Sequence, residues 1–161
     1  MRITLPDGGG IAVRIPQGAR DGQTLRLRGK GGPGHGGGPA GDALITLSVR
    51  PHPVFRREHE DILLTLPITI DEAVLGAKVT VPTIGGPVSL SIPKGASSGR
   101  ILRLRGRGVA RPGGGTAGDQ LVELRIMAPP VIDDALRDFL TEWRKTHAHD
   151  PRGDMLNEAL S

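Results

Sequence analysis

Apolar and polar residues alternate with a period of two in several short runs. From Ala43 to Val49, the residues Ile45, Leu47 and Val49 fall on one face, and from Gln120 onward Val122, Leu124 and Ile126 alternate with Glu123 and Arg125. That is the pattern of a half-buried antiparallel strand. Leu25-Arg26-Leu27-Arg28 and Leu102-Arg103-Leu104-Arg105 alternate likewise, turning leucine inward and guanidinium outward. Val79 to Ile92 reads as a hairpin, and the apolar stretch Asp61 to Ile70 before it as a strand pair. Asp71 to Leu75, closed by Gly76, reads as one short helical turn. Turn clusters separate these runs: Pro6-Asp7-Gly8-Gly9-Gly10, Ile84-Gly85-Gly86-Pro87, and the glycine-rich loops 29–41 and 106–118. After Pro129-Pro130 the period changes. Leu136, Phe139, Leu140 and Trp143 follow the i, i+3, i+4, i+7 spacing of one helix face, with Asp133 or Asp134 as the cap. Many short strands followed by one amphipathic helix predict an all-β, mostly antiparallel fold of sandwich or barrel type.

The runs are related by an internal repeat. Sliding the chain by 77 places residues 11–53 over 88–130 without a gap, and 20 of the 43 pairs are identical. Ile15-Pro16-Gln17-Gly18-Ala19 returns as Ile92-Pro93-Lys94-Gly95-Ala96, and Ala40-Gly41-Asp42 as Ala117-Gly118-Asp119. Two copies of one supersecondary unit are therefore expected, as tandem β-sandwich domains at 1–53 and 54–130, with a helix and tail at 131–161. The join falls at Pro51-His52-Pro53-Val54-Phe55, where two prolines stiffen an extended connector. Copy two has the stretch 61–76 ahead of its hairpin; copy one has no counterpart, because Met1 aligns with Lys78. The first domain is thus expected to be truncated at its N-terminal side, with a neighbouring strand position left vacant.

Composition narrows the chemistry. There is no cysteine, so disulfides, thiolate zinc sites and cysteine nucleophiles are excluded. The longest apolar runs fall far short of the roughly 20 residues of a membrane helix, and Met1 to Ala12 has no signal-peptide character. A cytoplasmic chain without membrane partners, metal or cofactor is the expectation. Residues 1–132 carry 17 Lys+Arg against 10 Asp+Glu, whereas 133–161 carry 4 against 7. The basic body permits a nucleic-acid or acidic partner without specifying one.

Motif by motif, catalysis loses support. Gly29-Lys30-Gly31-Gly32-Pro33-Gly34 fits GxGxxG, yet Pro33 and the glycines after it cannot start the helix a dinucleotide site needs. His35-Gly36-Gly37-Gly38 resembles an oxyanion loop, but no GxSxG elbow accompanies it. His147, His149 and Asp150 read as a solvated tail. Glu58, Glu60 and Asp61 cluster in a turn with no pocket implied. No enzyme is expected. Arg26, Arg28, Lys30, Arg103, Arg105 and Arg107 could contact DNA phosphates. Their strand faces offer no aromatic platform for bases, and Asp42 and Asp119 are available to pair them, so solubilising faces are the preferred account. Leu136, Phe139, Leu140 and Trp143 could pack on the second sandwich or meet their twins in a dimer; in the dimer, Leu136, Phe139 and Trp143 from two chains give about 9–18 kcal/mol of gross burial against an association cost of about 4–15.

In Ile15 to Gly22, Leu25 to Gly31, Gly38 to Asp42, Arg50-Pro51-His52-Pro53-Val54-Phe55-Arg56-Arg57, Glu72 to Gly76, Val81-Pro82-Thr83 and Leu102 to Gly108, the chain resembles the C-terminal substrate-binding region of DnaJ-type (J-domain) co-chaperones. The resemblance covers nearly the whole chain. Lacking cysteine, it is similar to the zinc-free class, which includes a curved-DNA-binding relative. It implies two tandem sandwiches and a dimerising helix, unfolded polypeptide as client, a DnaK-type chaperone as partner, and a shallow apolar groove on the first sandwich. Carried over by motif, that groove would use Ile3, Leu5 and Phe55, with its other strand expected before Met1. The His-Pro-Asp motif of the J domain is matched by neither His52-Pro53-Val54 nor His149-Asp150-Pro151, so this chain alone is not expected to stimulate the partner's ATPase.

Overall fold

The period-two runs 25–28, 43–49, 102–105 and 120–126 each contain a strand. The computed structural model describes residues 2–4, 10–32, 34, 38–111 and 113–161, with the backbone alone at 2–4 and 11. The first copy holds β1 (Arg2–Thr4), β2 (Gly10–Ala12), β3 (Thr24–Leu27) and β4 (Ala43–Thr46). The second holds β5 (Phe55–Glu58), β6 (Asp61–Thr69), α1 (Ile70–Leu75), β7 (Ala77–Val81), β8 (Val88–Ile92), β9 (Ile101–Leu104) and β10 (Gln120–Met127). Two helices follow, α2 (Asp134–His147) and α3 (Met155–Leu160). Met1–Met127 is one compact unit and Ala128–Ser161 another. Among the described residues, no sheet mixes the copies. β1 pairs with β2 and β3 with β4 in the first; β5-β6-β10-β9 and β7-β8 form the sheets of the second.

The repeat is visible in the hydrogen-bond register. Leu25 faces Ile45 across β3 and β4, and their counterparts Leu102 and Val122 face each other across β9 and β10. The first hairpin departs from this. Arg2 faces Ala12, whereas their ungapped counterparts are out of step by one, Val79 facing Leu90. Hairpin register follows loop length, and residues 5–9 join one pair where 82–87 join the other.

Two strand expectations need correction. The stretch Asp61 to Ile70 holds one nine-residue strand, Asp61–Thr69, not a pair, because its hairpin partner is β5, which begins at Phe55 within the expected connector. Pro67 is accommodated opposite Arg125 in the ladder with β10. β10 is also not a purely antiparallel strand: it pairs antiparallel with β9 and parallel with β6, from Gln120 over Ile62 to Met127 over Thr69. Covered on both edges, β10 buries Val122 and Leu124 completely. They anchor a core with Leu64, Ile68, Ala73, Val81, Leu90, Ile92 and Ala96.

The short helix closes that core. Thr69 and Glu72 form a reciprocal capping box: the Glu72 amide donates to Thr69 Oγ1 (3.4 Å) and the Thr69 amide to Glu72 Oε1 (2.9 Å). Gly76 ends α1 at φ 77°, where a Cβ would sit 3.1 Å from the Ile92 carbonyl oxygen. The amides of Gly95 and Ala96 then donate to the carbonyls of Val74 and Ala73, tying the loop after β8 to the helix and burying Ala73.

In the second unit, Asp133 is the cap of α2, its Oδ1 accepting the Leu136 amide at 2.9 Å. His147 belongs to this helix, not to a tail, and its ring stacks on Trp143 at 4.8 Å. α3 is unanticipated by the apolar spacing. No helix among the described residues is long and apolar enough to cross a membrane.

Candidate functional site

Phe55 is positioned by the residues before it. Pro51 and Pro53 restrict the backbone on both sides of His52, and the Nδ1 of His52 accepts the amides of Val54 (3.0 Å) and Phe55 (3.2 Å). The face of the His52 ring lies 4.9 Å from the Phe55 ring. Phe55 opens β5 opposite Leu64, one side against the core and the other lining a cleft of about 570 Å³. The floor is apolar, made by Ala19, Val49, Pro51, Phe55, Ile62 and Ile84, and four arginines, 20, 50, 56 and 57, line it as well.

Copies one and two meet here through main chain and charge. Arg57 donates from Nη1 to the Ala19 carbonyl (2.8 Å), from Nη2 to that of Gly18 (3.0 Å) and from Nε to that of His59 (2.7 Å). Arg20 pairs with Glu60, and Arg57 reaches the other oxygen of that carboxylate at 3.4 Å. The Arg20 hydrogen bond holds the Glu60 carboxyl below the usual range, against partial desolvation. Gly18 has φ 75°, and a Cβ there would approach the Ala110 carbonyl oxygen to 2.4 Å, so the first copy's loop sits directly on the second copy's backbone.

Of the three expected groove residues, Phe55 lines this cleft. Ile3 lies on β1 with its backbone opposite Ile11, and Leu5 falls outside the described residues. The roles of Arg57 and Ile84 were not foreseen. Arg57 gave no periodic signal; an isoleucine amid the glycines of a turn was the available hint for Ile84, which is 56% exposed. Leu136 is half-buried, and Phe139, Leu140 and Trp143 are exposed along α2, Phe139 the most at 62%. A second open cleft of about 590 Å³ lies beside Val54, Leu64, Leu66 and Pro82. Among the described residues no group of three or more acidic or histidine side chains is arranged to hold a metal.

The arginine faces are as the alternation required. Arg26 and Arg103 point outward and pair with Asp42 and Asp119, each at 2.5 Å. Arg28, Lys30, Arg105 and Arg107 are exposed. Asp42 and Asp119 also accept the amides of Gly29 and Gly106, both at 2.9 Å, so each aspartate pins the turn after its strand. Those amide bonds first, and the arginines second, hold both carboxyls below their ordinary range. A depressed folded pKa gives stability that is present above the unfolded value, about 3.9 for aspartate, and lost as pH falls through the folded one. The double variant Asp42→Asn, Asp119→Asn should therefore lose stability at neutral pH and show a shallower decline below about pH 4, read from urea midpoints across pH.

A duplicated β-unit, with an apolar cleft bordered by arginine where its copies meet, defines a tandem-repeat β protein. Comparison with known proteins places it further. Residues 6–129 match the DnaJ C terminal domain family, and the chain belongs to that family. Over 151 residues it is 46% identical to chaperone protein DnaJ 1 of Streptomyces coelicolor, covering 92% of this chain and 38% of that protein. It is 42% identical over 146 residues to the curved DNA-binding protein of Coxiella burnetii, covering 91% and 46% respectively. The chain thus spans less than half the length of these relatives.

Proposed function

We propose that the chain is the client-holding part of a DnaJ-type co-chaperone, acting as a binding module and not as an enzyme. It binds nonnative polypeptide and presents it to a DnaK-type chaperone in the cytoplasm. The observation that carries this reading is the apolar cleft around Phe55, open to solvent and bordered by arginine. A nonnative chain exposes apolar side chains, and a shallow apolar site accepts them with little demand on sequence. Ile3 and Leu5, the other two groove residues that the family motif implies, are assigned to client binding as well.

Suppression of aggregation of a denatured client tests it. Ile84→Ser should weaken suppression several-fold without moving the thermal midpoint, because Ile84 is more than half exposed and sits in a turn. Phe55→Ser should weaken it more, with some loss of stability, since Phe55 also packs on the core. Unchanged suppression by Ile84→Ser together with Phe55→Ser removes the cleft from the reading.

The helix is assigned to self-association. Leu136, Phe139, Leu140 and Trp143 from two chains give an apolar seam, and two linked arms raise weak affinity through effective concentration. Sedimentation should show a concentration-dependent dimer that Trp143→Glu converts to monomer; identical monomers before and after exclude this face.

DNA is the second reading, drawn from the exposed Arg28, Lys30, Arg105 and Arg107. It is weakened by Asp42 and Asp119, which engage Arg26 and Arg103, and by strand faces without aromatics on which bases could stack.

A further inference from the structure

The connector that delivers Phe55 to the cleft carries an acceptor that its repeat counterpart lacks. At the offset of 77 residues His52 aligns with Pro129, so the ring belongs to the junction and not to the repeated unit. Its Nδ1 takes two amides at once, Val54 at 3.0 Å and Phe55 at 3.2 Å. An asparagine oxygen closes an Asx turn on the amide two residues ahead in the same manner. The two residues so held serve different surfaces: Phe55 lines the cleft where the copies meet, and Val54 lines the second cleft. The Phe55 and His52 rings also lie against each other, tilted by 37°. The amide bonds and this ring contact thus join the β5 hairpin in setting where Phe55 points.

An imidazole nitrogen accepts a hydrogen bond only while it carries no proton, and an imidazolium has two donors and no acceptor. A proton on Nδ1 of His52 would set N–H against N–H at Val54 and Phe55 together. Histidine is the side chain that ordinarily changes charge between about pH 5 and 8, and His52 is exposed to solvent. The charged and titratable groups that line the same cleft are Arg50, Arg56 and Arg57 from the connector and β5, Arg20 and Asp21 from the first copy's loop, and His59 from the turn after β5. The turn bearing Ile84 adds no charge. The nearby carboxylates already have partners. Asp21 Oδ1 accepts the Val49 amide at 3.0 Å, and Glu60 is engaged by Arg20 and Arg57.

We propose that His52 is a positioning residue of the Phe55 cleft that makes client holding sensitive to acid. With Nδ1 free of a proton it fixes Val54 and Phe55; once protonated it releases them, and the cleft loses its ordered aromatic floor. The consequence for clients rests on the function proposed above, whereas the release of the two residues does not.

The test compares the full chain with two variants. His52→Asn keeps an acceptor for the Val54 amide and does not titrate. His59→Asn removes the other histidine of the cleft, at φ 55°, a conformation that asparagine tolerates. Two readouts are followed from about pH 8 to about 5.5: amide NMR of the isotopically labelled chain, and anisotropy of a rhodamine-labelled peptide of Leu, Phe and Gln with blocked termini, which has no side chain that titrates in this range. On acidification the Val54 and Phe55 amides of the natural chain should shift in step with the His52 ring. Their exchange protection, corrected for intrinsic rates, should fall about tenfold or more, and peptide affinity should fall about tenfold. His59→Asn should respond alike, and His52→Asn should bind with an affinity that is flat across the range. Protection at Val54 and Phe55 that is unchanged while His52 titrates overturns the proposal. A fall in affinity that His52→Asn reproduces also overturns it, because the titrating group then lies elsewhere, and so does release of both amides with undiminished peptide binding. Release of both amides in a chain that binds the peptide at neither pH removes client binding from the cleft and leaves the acid-sensitive turn standing, so the two readings fail separately.

Discussion

Gly118→Ala should destabilise the protein by about 3 kcal/mol, while Gly41→Ala, at the matching position of the first copy, should cost well under about 1 kcal/mol. A Cβ on Gly118 would lie 1.9 Å from the Glu60 carbonyl oxygen and 2.4 Å from its carbon, both backbone atoms that cannot swing aside. The contact around Gly41 is different: the nearest atom is the Gly32 carbonyl oxygen at 4.0 Å. The asymmetry arises because Glu60 sits in the turn between β5 and β6, and its carbonyl accepts the Val109 amide at 2.8 Å, pressing that turn against the loop containing Gly108 and Gly118. Any Cβ at 118 must break that bond or push β6 away from β10. Urea midpoints of the two variants, followed by circular dichroism, decide the matter. Equal shifts would show that the turn does not clamp the loop.

The same pair of glycines shows how much was legible in sequence. Both copies read Ala-Gly-Asp, and the pairing of the aspartate with arginine was legible there, whereas its bond to the Gly29 or Gly106 amide, made in each copy alike, was not. Strand alternation and the α2 stripe were legible for the same reason, since each depends on residues close in the chain. What escaped depends on pairing across distance. The parallel β6–β10 ladder joins residues some 58 positions apart, as in the Asp119 amide bonded to Asp61 Oδ1, and nothing in a period of two distinguishes a parallel neighbour from an antiparallel one. β5 was hidden because Phe55-Arg56-Arg57-Glu58 has one apolar residue and three charged ones; it is a strand by virtue of its hairpin with β6. The cleft was half legible. Phe55 was named from its motif for a groove on the first sandwich; its place where the copies meet, beside Arg57 bonding to carbonyls 18 and 19, is a tertiary fact.

Leu124→Ala should cost about 3–4 kcal/mol, and Leu47→Ala, its counterpart, roughly half as much. Leu124 is fully enclosed by the core that β6, α1, β7 and β8 complete, so truncation leaves a cavity whose walls, held by ladders on both edges of β10, cannot collapse. Leu47 is half-buried, so its truncation returns less apolar surface to water. Against a whole-domain stability of about 5–15 kcal/mol, the first substitution removes a large fraction and the second a modest one. Native-state hydrogen exchange adds a directional check. The amides of Val122 and Leu124 should exchange only through global opening, and those of Ile45 and Leu47 through local opening of lower free energy. Leu124→Ala should then accelerate the β10 amides by about a hundredfold or more and leave the β4 amides nearly unchanged, because no described strand joins β4 to the second copy's sheet. Parallel acceleration in both strands would mean that the two copies unfold as one cooperative body, and that the duplicated halves do not act as separate structural units.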